Sequence, residues 1–258
     1  ISWLDILAYL GAKYGGNFSH YRKSDTDKFV KLLGSGESTD SLSVKMKYFS
    51  YYREAYGAAL CGFVGDFYRD GEKLYGLRAF SPIADGYYYQ HYDDFGAARS
   101  FGYRREHLGH DMMGQIGTPI IAVESGYVEA IGWNRYGGWR IGIRSFDNKR
   151  YYYYAHLRKD HPYADLSEGD IVTAGDVIGY LGMTGYSDKE NVNNINIPHL
   201  HFGLQLIFDA SQKDGNGEIW IDVYELTKFL YRNRMAVTKC ENGEYRPKKQ
   251  IVIYDMPD

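Results

Sequence analysis

Apolar positions in the first 76 residues recur mostly at spacings of three and four, the period of a helix with one buried face. Ser24-Asp25-Thr26-Asp27 has the character of a helix start before Phe29, Val30, Leu32 and Leu33, and Gly34 that of its stop. A second segment opens near Thr39-Asp40 and carries Leu42, Val44, Met46, Phe49, Tyr52, Tyr56, Ala59 and Leu60, weakened toward its end by Gly57, Gly62 and Gly65. Residues 1–76 therefore read as a small helical region, a structural or partner-docking appendage with no chemistry of its own.

After Gly76 the texture changes. Short β-like runs at Thr118–Val123, Tyr127–Ile131, Trp139–Arg144, Arg150–Tyr154, Asp176–Leu181 and Leu200–Leu206 alternate with glycine turns such as Gly126, Gly132, Gly137-Gly138, Gly169, Gly175 and Gly182. Strands at this density, with no helical period between them, predict an all-β sheet, sandwich or barrel-like core. Helical texture returns from Ile219, where Ile221, Tyr224, Leu226, Phe229 and Leu230 suit a short amphipathic helix, and a polar tail carries one strand, Gln250–Tyr254. The expected organisation is a helical region over 1–76, a β domain over 77–210, and a C-terminal helix and tail over 211–258 packed on that core.

Composition narrows the partners. The chain has 258 residues, 44% of them apolar, which suffices for a sizeable core. A net charge of -3, without a dense block of lysine or arginine, offers nothing to a nucleic acid or an anionic membrane. Tyrosine is unusually common, at 27, as suits strands wet on one face; stacking on sugars or peptides is the functional alternative. Cys61 and Cys240 could pair in an oxidising compartment, although their spacing does not demand it. No run of about 18 apolar residues occurs. The chain opens at Ile1 without an initiator methionine. It reads as a processed or truncated form, with any export signal or membrane anchor expected upstream.

Five of the eight histidines fall in three short motifs of the β region. In His107-Leu108-Gly109-His110-Asp111, His107 and Asp111 stand four apart, on one face of a strand or of a helix, and Gly109 argues against the helix. Imidazole nitrogen and carboxylate oxygen are both good zinc ligands. In Pro198-His199-Leu200-His201-Phe202, strand alternation sends both imidazoles to one side and Leu200 to the other. Both can then be ligands, or one can bind metal while the other acts on substrate. Tyr154-Ala155-His156-Leu157 adds a histidine at the end of an aromatic strand. Together these supply two histidines and a carboxylate for a three-ligand zinc site, with further histidines for proton transfer. The helical His-Glu-x-x-His signature is absent, so this is a β-sheet solution to the same problem.

In order, His107–Asp111, Gly117-Thr118-Pro119, Tyr154–Leu157, the run Gly179 to Gly185 (Gly-x-x-Gly-x-Thr-Gly) and Pro198–Phe202 resemble the motifs of the lysostaphin-type peptidoglycan endopeptidases. Asp94–Arg99 resembles the stretch that precedes them in many members, and the likeness covers roughly residues 80–208. The resemblance implies a mainly β, compact antiparallel fold of the duplicated-hybrid-motif type with a groove. It implies one zinc ion per chain on His107, Asp111 and His201, with His156 and His199 lining the groove as catalytic groups. It also implies a peptidoglycan peptide as substrate, and an exported or membrane-tethered enzyme acting at the bacterial cell wall.

The stretch from Tyr186 to Ile197 is longer than the family's usual link, and is either a groove wall or a surface insertion. Tyr103 is the nearest tyrosine before the first ligand motif, at a spacing that assigns it no role. His110 should face away from the ligands, and His20, His91 and His161, with no motif around them, are expected at the surface. A non-catalytic wall- or partner-binding module of the same fold is the alternative; such modules usually lack one of the five residues, and all five are present here. The sequence selects neither the bond cut, in a glycine bridge or a D-alanine-containing peptide, nor an oligomeric state.

Overall fold

The computed structural model describes residues 1–253 and divides the chain into two compact units that meet in sequence between Cys61 and Gly62. The first unit holds four helices, α1 (Trp3–Tyr14), α2 (Lys23–Gly34), α3 (Thr39–Ser43) and α4 (Phe49–Leu60). The Ser2 side chain accepts a hydrogen bond from the Asp5 amide at the start of α1, and Gly15 in the left-handed conformation ends it. Tyr9 stacks on Phe29 with ring centroids 3.9 Å apart, joining α1 to α2. The single apolar-faced helix expected after Thr39 is two helices separated by a turn. Val44, which continued the apolar period, is exposed on that turn.

The second unit is mainly antiparallel β. It begins with a hairpin, β1 (Val64–Arg69) and β2 (Glu72–Leu77), in a stretch expected to belong to the helical region. Asp70-Gly71 joins the strands with φ of 53° and 83°. A two-residue Asp-Gly loop matches the twist of paired strands, and this turn signal outweighs the helical spacing before it.

The remaining strands are β3 (Gln90–Tyr92), β4 (Ala98–Arg99), β5 (Arg105–Glu106), β6 (His110–Met113), β7 (Pro119–Ile121), β8 (Gly126–Asn134), β9 (Gly138–Ser145), β10 (Arg150–Ala155), β11 (Ile171–Val172), β12 (Val177–Tyr180), β13 (His199–Leu206) and β14 (Ile219–Ile221). The main sheet runs β11-β8-β9-β10-β13-β6-β3, with β14 also paired to β13. β7 and β12 pair separately, as do β4 and β5. All these pairings are antiparallel.

Ile219–Ile221, read as the start of a helix, is strand β14, and the helix proper is α5 (Tyr224–Leu230). The tail adds a hairpin, β15 (Val237–Lys239) with β16 (Tyr245–Pro247), and β17 (Ile251–Val252), which pairs with β1. Tyr254, the expected end of the last strand, lies outside the described residues. One apolar cluster gathers Phe67, Phe80, Ile121, Tyr180, Met235 and Ile251, so the tail closes the same core that the first hairpin opens.

Candidate active site

β13 lies between β10 and β6, which pair with its two edges. Alternation turns Leu200 and Phe202 into the core, fully buried, and His199 and His201 to the opposite face. The register with β6 sets His201 directly across from Asp111, and the register with β10 sets it across from Ala155, the residue before His156. His107 reaches Asp111 differently from the expectation of a shared strand. It precedes β6 by a bend, held by its main-chain hydrogen bonds to Ala97 and Gly96. Gly109 makes the bend possible: a Cβ there would stand 2.5 Å from His201 Cε1 and 2.9 Å from the Phe202 carbonyl oxygen.

Three donor atoms converge as a result. His107 Nε2 is 3.0 Å from Asp111 Oδ1 and 2.8 Å from His201 Nδ1, and His201 Nδ1 is 3.1 Å from Asp111 Oδ1. His107 Nδ1 donates to the Asp94 main-chain oxygen at 3.2 Å, and the Asp94 carboxylate lies 2.9 Å away. With that proton on Nδ1, neutral His107 points a lone pair from Nε2 at a carboxylate lone pair. A single proton on His201 Nδ1 cannot relieve all three contacts. A cation can. Three donor atoms this close together can all reach one ion at the bond lengths of about 2.0–2.2 Å that zinc forms with nitrogen and oxygen. The residues present thus fit a metal ion, and His107, Asp111 and His201 would hold it.

The electrostatics agree. Burial alone would raise the Asp111 carboxyl, but the surrounding imidazoles of His107, His201 and His199 outweigh it and hold it well below its ordinary value. Burial pushes His201 below its ordinary value despite the opposing pull of Asp111, which favours the neutral, ligating imidazole. Arg99 pairs with Asp94 and lies 3.5 Å from Asp111 Oδ2, tying both carboxylates into one network.

The other two histidines stand at the edge of this triangle. β10 ends at Ala155, and His156 turns out of it at φ 62°, a left-handed conformation costly for a residue with a Cβ. Its ring is fixed by Nδ1 donating to the Thr184 carbonyl at 2.8 Å, which leaves Nε2 with a lone pair. Gly185, at φ 117°, leaves space there; a Cβ would stand 2.9 Å from His156 Nδ1. His199 Nδ1 donates to the Ile197 carbonyl at 2.8 Å, and its Nε2 lies 3.7 Å from Asp111 Oδ1. The His156 and His199 rings are 4.8 Å apart. Burial first, and then the neighbouring imidazoles of His199 and His201, push His156 well below its ordinary value, which favours the neutral ring.

Residues 105–214 match the model of peptidase family M23. The β unit carries a peptidase family M23 domain. The L-Ala–D-Glu endopeptidase of Bacillus subtilis is 38% identical over 176 residues, 67% of this chain and 51% of that protein. Lysostaphin of Staphylococcus simulans is 40% identical over 97 residues, 37% of this chain and 17% of its own length. The crystal structure of a glycyl-glycine endopeptidase (lytM) candidate from Ruminococcus gnavus superposes with a TM-score of 0.57 at 26% identity, covering 76% of this chain and 71% of that one. The chain spans about half the length of the B. subtilis relative and less than a fifth of lysostaphin.

In this M23 domain a cavity of about 490 Å³ opens over the histidines, walled by Arg105, Tyr136, Tyr153, Tyr186 and Trp220. The stretch from Tyr186 to Ile197, read as either wall or surface insertion, supplies part of that wall through Tyr186, whose ring meets His156 edge-on at 5.6 Å. Behind the wall Ile195 is buried, and Asn191 accepts a hydrogen bond from Trp139 Nε1. Tyr103 is exposed, packed on Tyr136. His110 is buried apart from the triangle, Nε2 2.7 Å from Nδ1 of His91, and both rings pack on Tyr224. His91, expected at the surface, is half-buried by that contact. Sequence reasoning missed the anchoring role of the Thr184 carbonyl, the space left by Gly109, and Asp94 and Arg99 as the partners of His107 and Asp111. Asp94–Arg99 and the Thr-Gly of the fourth motif carried the signal without its meaning.

Proposed function

We propose that the chain is a zinc-dependent endopeptidase that hydrolyses peptide bonds of bacterial peptidoglycan. The observation that carries this reading is the convergence of three lone-pair donors, on His107, Asp111 and His201, beside two histidines whose Nε2 atoms are left to accept protons. The names of the relatives, an L-Ala–D-Glu endopeptidase and lysostaphin, support the substrate. Wall-directed activity places the protein outside the cell, secreted or membrane-tethered. Among the described residues no helix is long and apolar enough to cross a membrane.

When bound, zinc supplies Lewis acidity, which makes water nucleophilic near neutral pH and polarises a carbonyl. The chain's own residues do the rest. His156 Nε2 or His199 Nε2 takes the proton of the attacking water, a role open to both because each Nδ1 is already donating to a carbonyl. The protonated imidazole then faces the developing oxyanion and can return its proton to the leaving amine. The left-handed turn at His156 and its bond to Thr184 hold this base in place without help from substrate. The cavity wall of Tyr153, Tyr186 and Trp220 confines the peptide and limits water around it.

The test is digestion of purified peptidoglycan from walls of different cross-link chemistry, with fragments identified by mass spectrometry. New amino termini that vanish on chelation and return with zinc are expected. Binding to walls without new termini on any of them would instead assign the chain to a non-catalytic, wall-binding role.

A further inference from the structure

The cavity beside the histidines contains a positive charge that no carboxylate among the described residues answers. Its other cations are engaged: Arg99 with Asp94, and Arg144 and Lys213 with Glu129. Arg105, two residues before His107, is different. Its Nη1 donates to the Phe101 carbonyl at 3.0 Å, and among the described residues no carboxylate lies within ion-pair distance of it. The guanidinium is held over two rings, Tyr136 at 4.8 Å and Tyr186 at 5.2 Å, and Phe101 stacks on Tyr186 at 5.1 Å. These contacts fix the plane of the group and leave Nε and Nη2 for a ligand. Tyr186 in turn is held at φ 48°, a left-handed backbone conformation that a tyrosine adopts only when its surroundings require it.

A half-buried, oriented guanidinium beside a reactive centre matches a planar anion with two oxygens. Glu106, the next residue, also lines the cavity but is exposed, so it is solvated and does not neutralise Arg105. We infer that Arg105 reads a carboxylate on the substrate peptide, next to the bond that is cut. The enzyme would then favour an acidic stem peptide, in which a glutamate keeps one free carboxylate, over the same peptide amidated there. This inference rests on the peptidase reading but concerns selection alone. Tyr136 and Tyr186 are positioning residues that orient Arg105.

The probes are two synthetic stem-type peptides with L-Ala joined to D-Glu, identical except that the remaining Glu carboxylate is free in one and a carboxamide in the other. Binding of both is measured by calorimetry on the zinc-loaded full chain carrying His156→Ala, with and without Arg105→Gln, and cleavage of both on the wild type. A charge-assisted bidentate contact should favour the free acid by about 10-fold or more. Arg105→Gln should bring the two peptides within about twofold of each other, through loss on the acid. Equal binding of the two, or a preference that survives Arg105→Gln, overturns the inference. Equal cleavage of both peptides by the wild type also overturns it while sustaining the peptidase reading. A preference for the acid that Arg105→Gln abolishes, with no cleavage by the wild type of either peptide or of any peptidoglycan tried, sustains carboxylate recognition by Arg105 and sinks the peptidase reading.

Discussion

At the scale of the residue, the site depends on atoms that are missing as much as on those present. Gly109 lets the His201 ring close on the bend that carries His107, and an added methyl would meet that ring at 2.5 Å. His201 cannot retreat without leaving Asp111. Gly109→Ala should therefore weaken metal binding by about 10- to 100-fold, the range seen when supports of metal ligands are disturbed. Competition with a fluorescent chelator measures this, and unchanged affinity would show that the ring can be displaced without cost. The same residue shows what the sequence made legible. His107, Asp111, His156, His199 and His201 were all named from motif order, and the fold brings them together. The space a glycine leaves, or the carbonyl that Thr184 offers to His156, is a relation between segments far apart in the chain. No local pattern carries it.

At the scale of the element, neighbouring strands are tied by charge as well as by backbone. Arg144 on β9 is buried and donates two hydrogen bonds of 2.7 Å to Glu129 on β8. Burial alone would raise the Glu129 carboxyl, but Arg144 and Lys213 outweigh it and hold it below its ordinary value of 4.5. Above pH 4.5 the folded and unfolded states both carry the charge, and the stabilisation is complete. As pH falls below 4.5 the unfolded state takes up the proton first, and this stability is progressively lost. Glu129→Gln should flatten that part of the stability–pH curve. It should also cost roughly 3 kcal/mol at pH 7, because a buried guanidinium loses its partner. Denaturant titrations at about pH 3.5, 4.5 and 7, below, at and above the ordinary carboxyl value, check both, and a parallel acid limb in the variant would contradict the assignment. Each of the six β runs read from the sequence overlaps a strand of the structure, because in-out patterning is a local signal. The β1–β2 hairpin and β14 escaped that reading. Their apolar residues also fit a helical period, and only the Asp70-Gly71 turn and the partner strand β13 decide between the two.

At the scale of the whole molecule, every residue of the site belongs to the unit that begins at Gly62. Its main sheet positions Asp111 and His201 by register, while the C-terminal segment completes a core shared with the first hairpin. The helical unit over residues 1–61 has its own apolar interior, including Ala8, Leu10, Phe29, Phe49 and Ala58, and contributes none of the site residues. The wall of the cavity is formed in part by the stretch after Gly185, which brings Tyr186 against His156 and under Arg105.

The most direct test of the central claim is the zinc content of the purified chain, measured for the wild type, His201→Ala and His156→Ala after equilibration with zinc and removal of excess. The account predicts about one zinc per chain in the wild type and in His156→Ala and almost none in His201→Ala, a three-ligand site having lost one ligand. Zinc retained by His201→Ala, or lost from His156→Ala, would contradict the division of the five residues into metal ligands and proton-transfer groups.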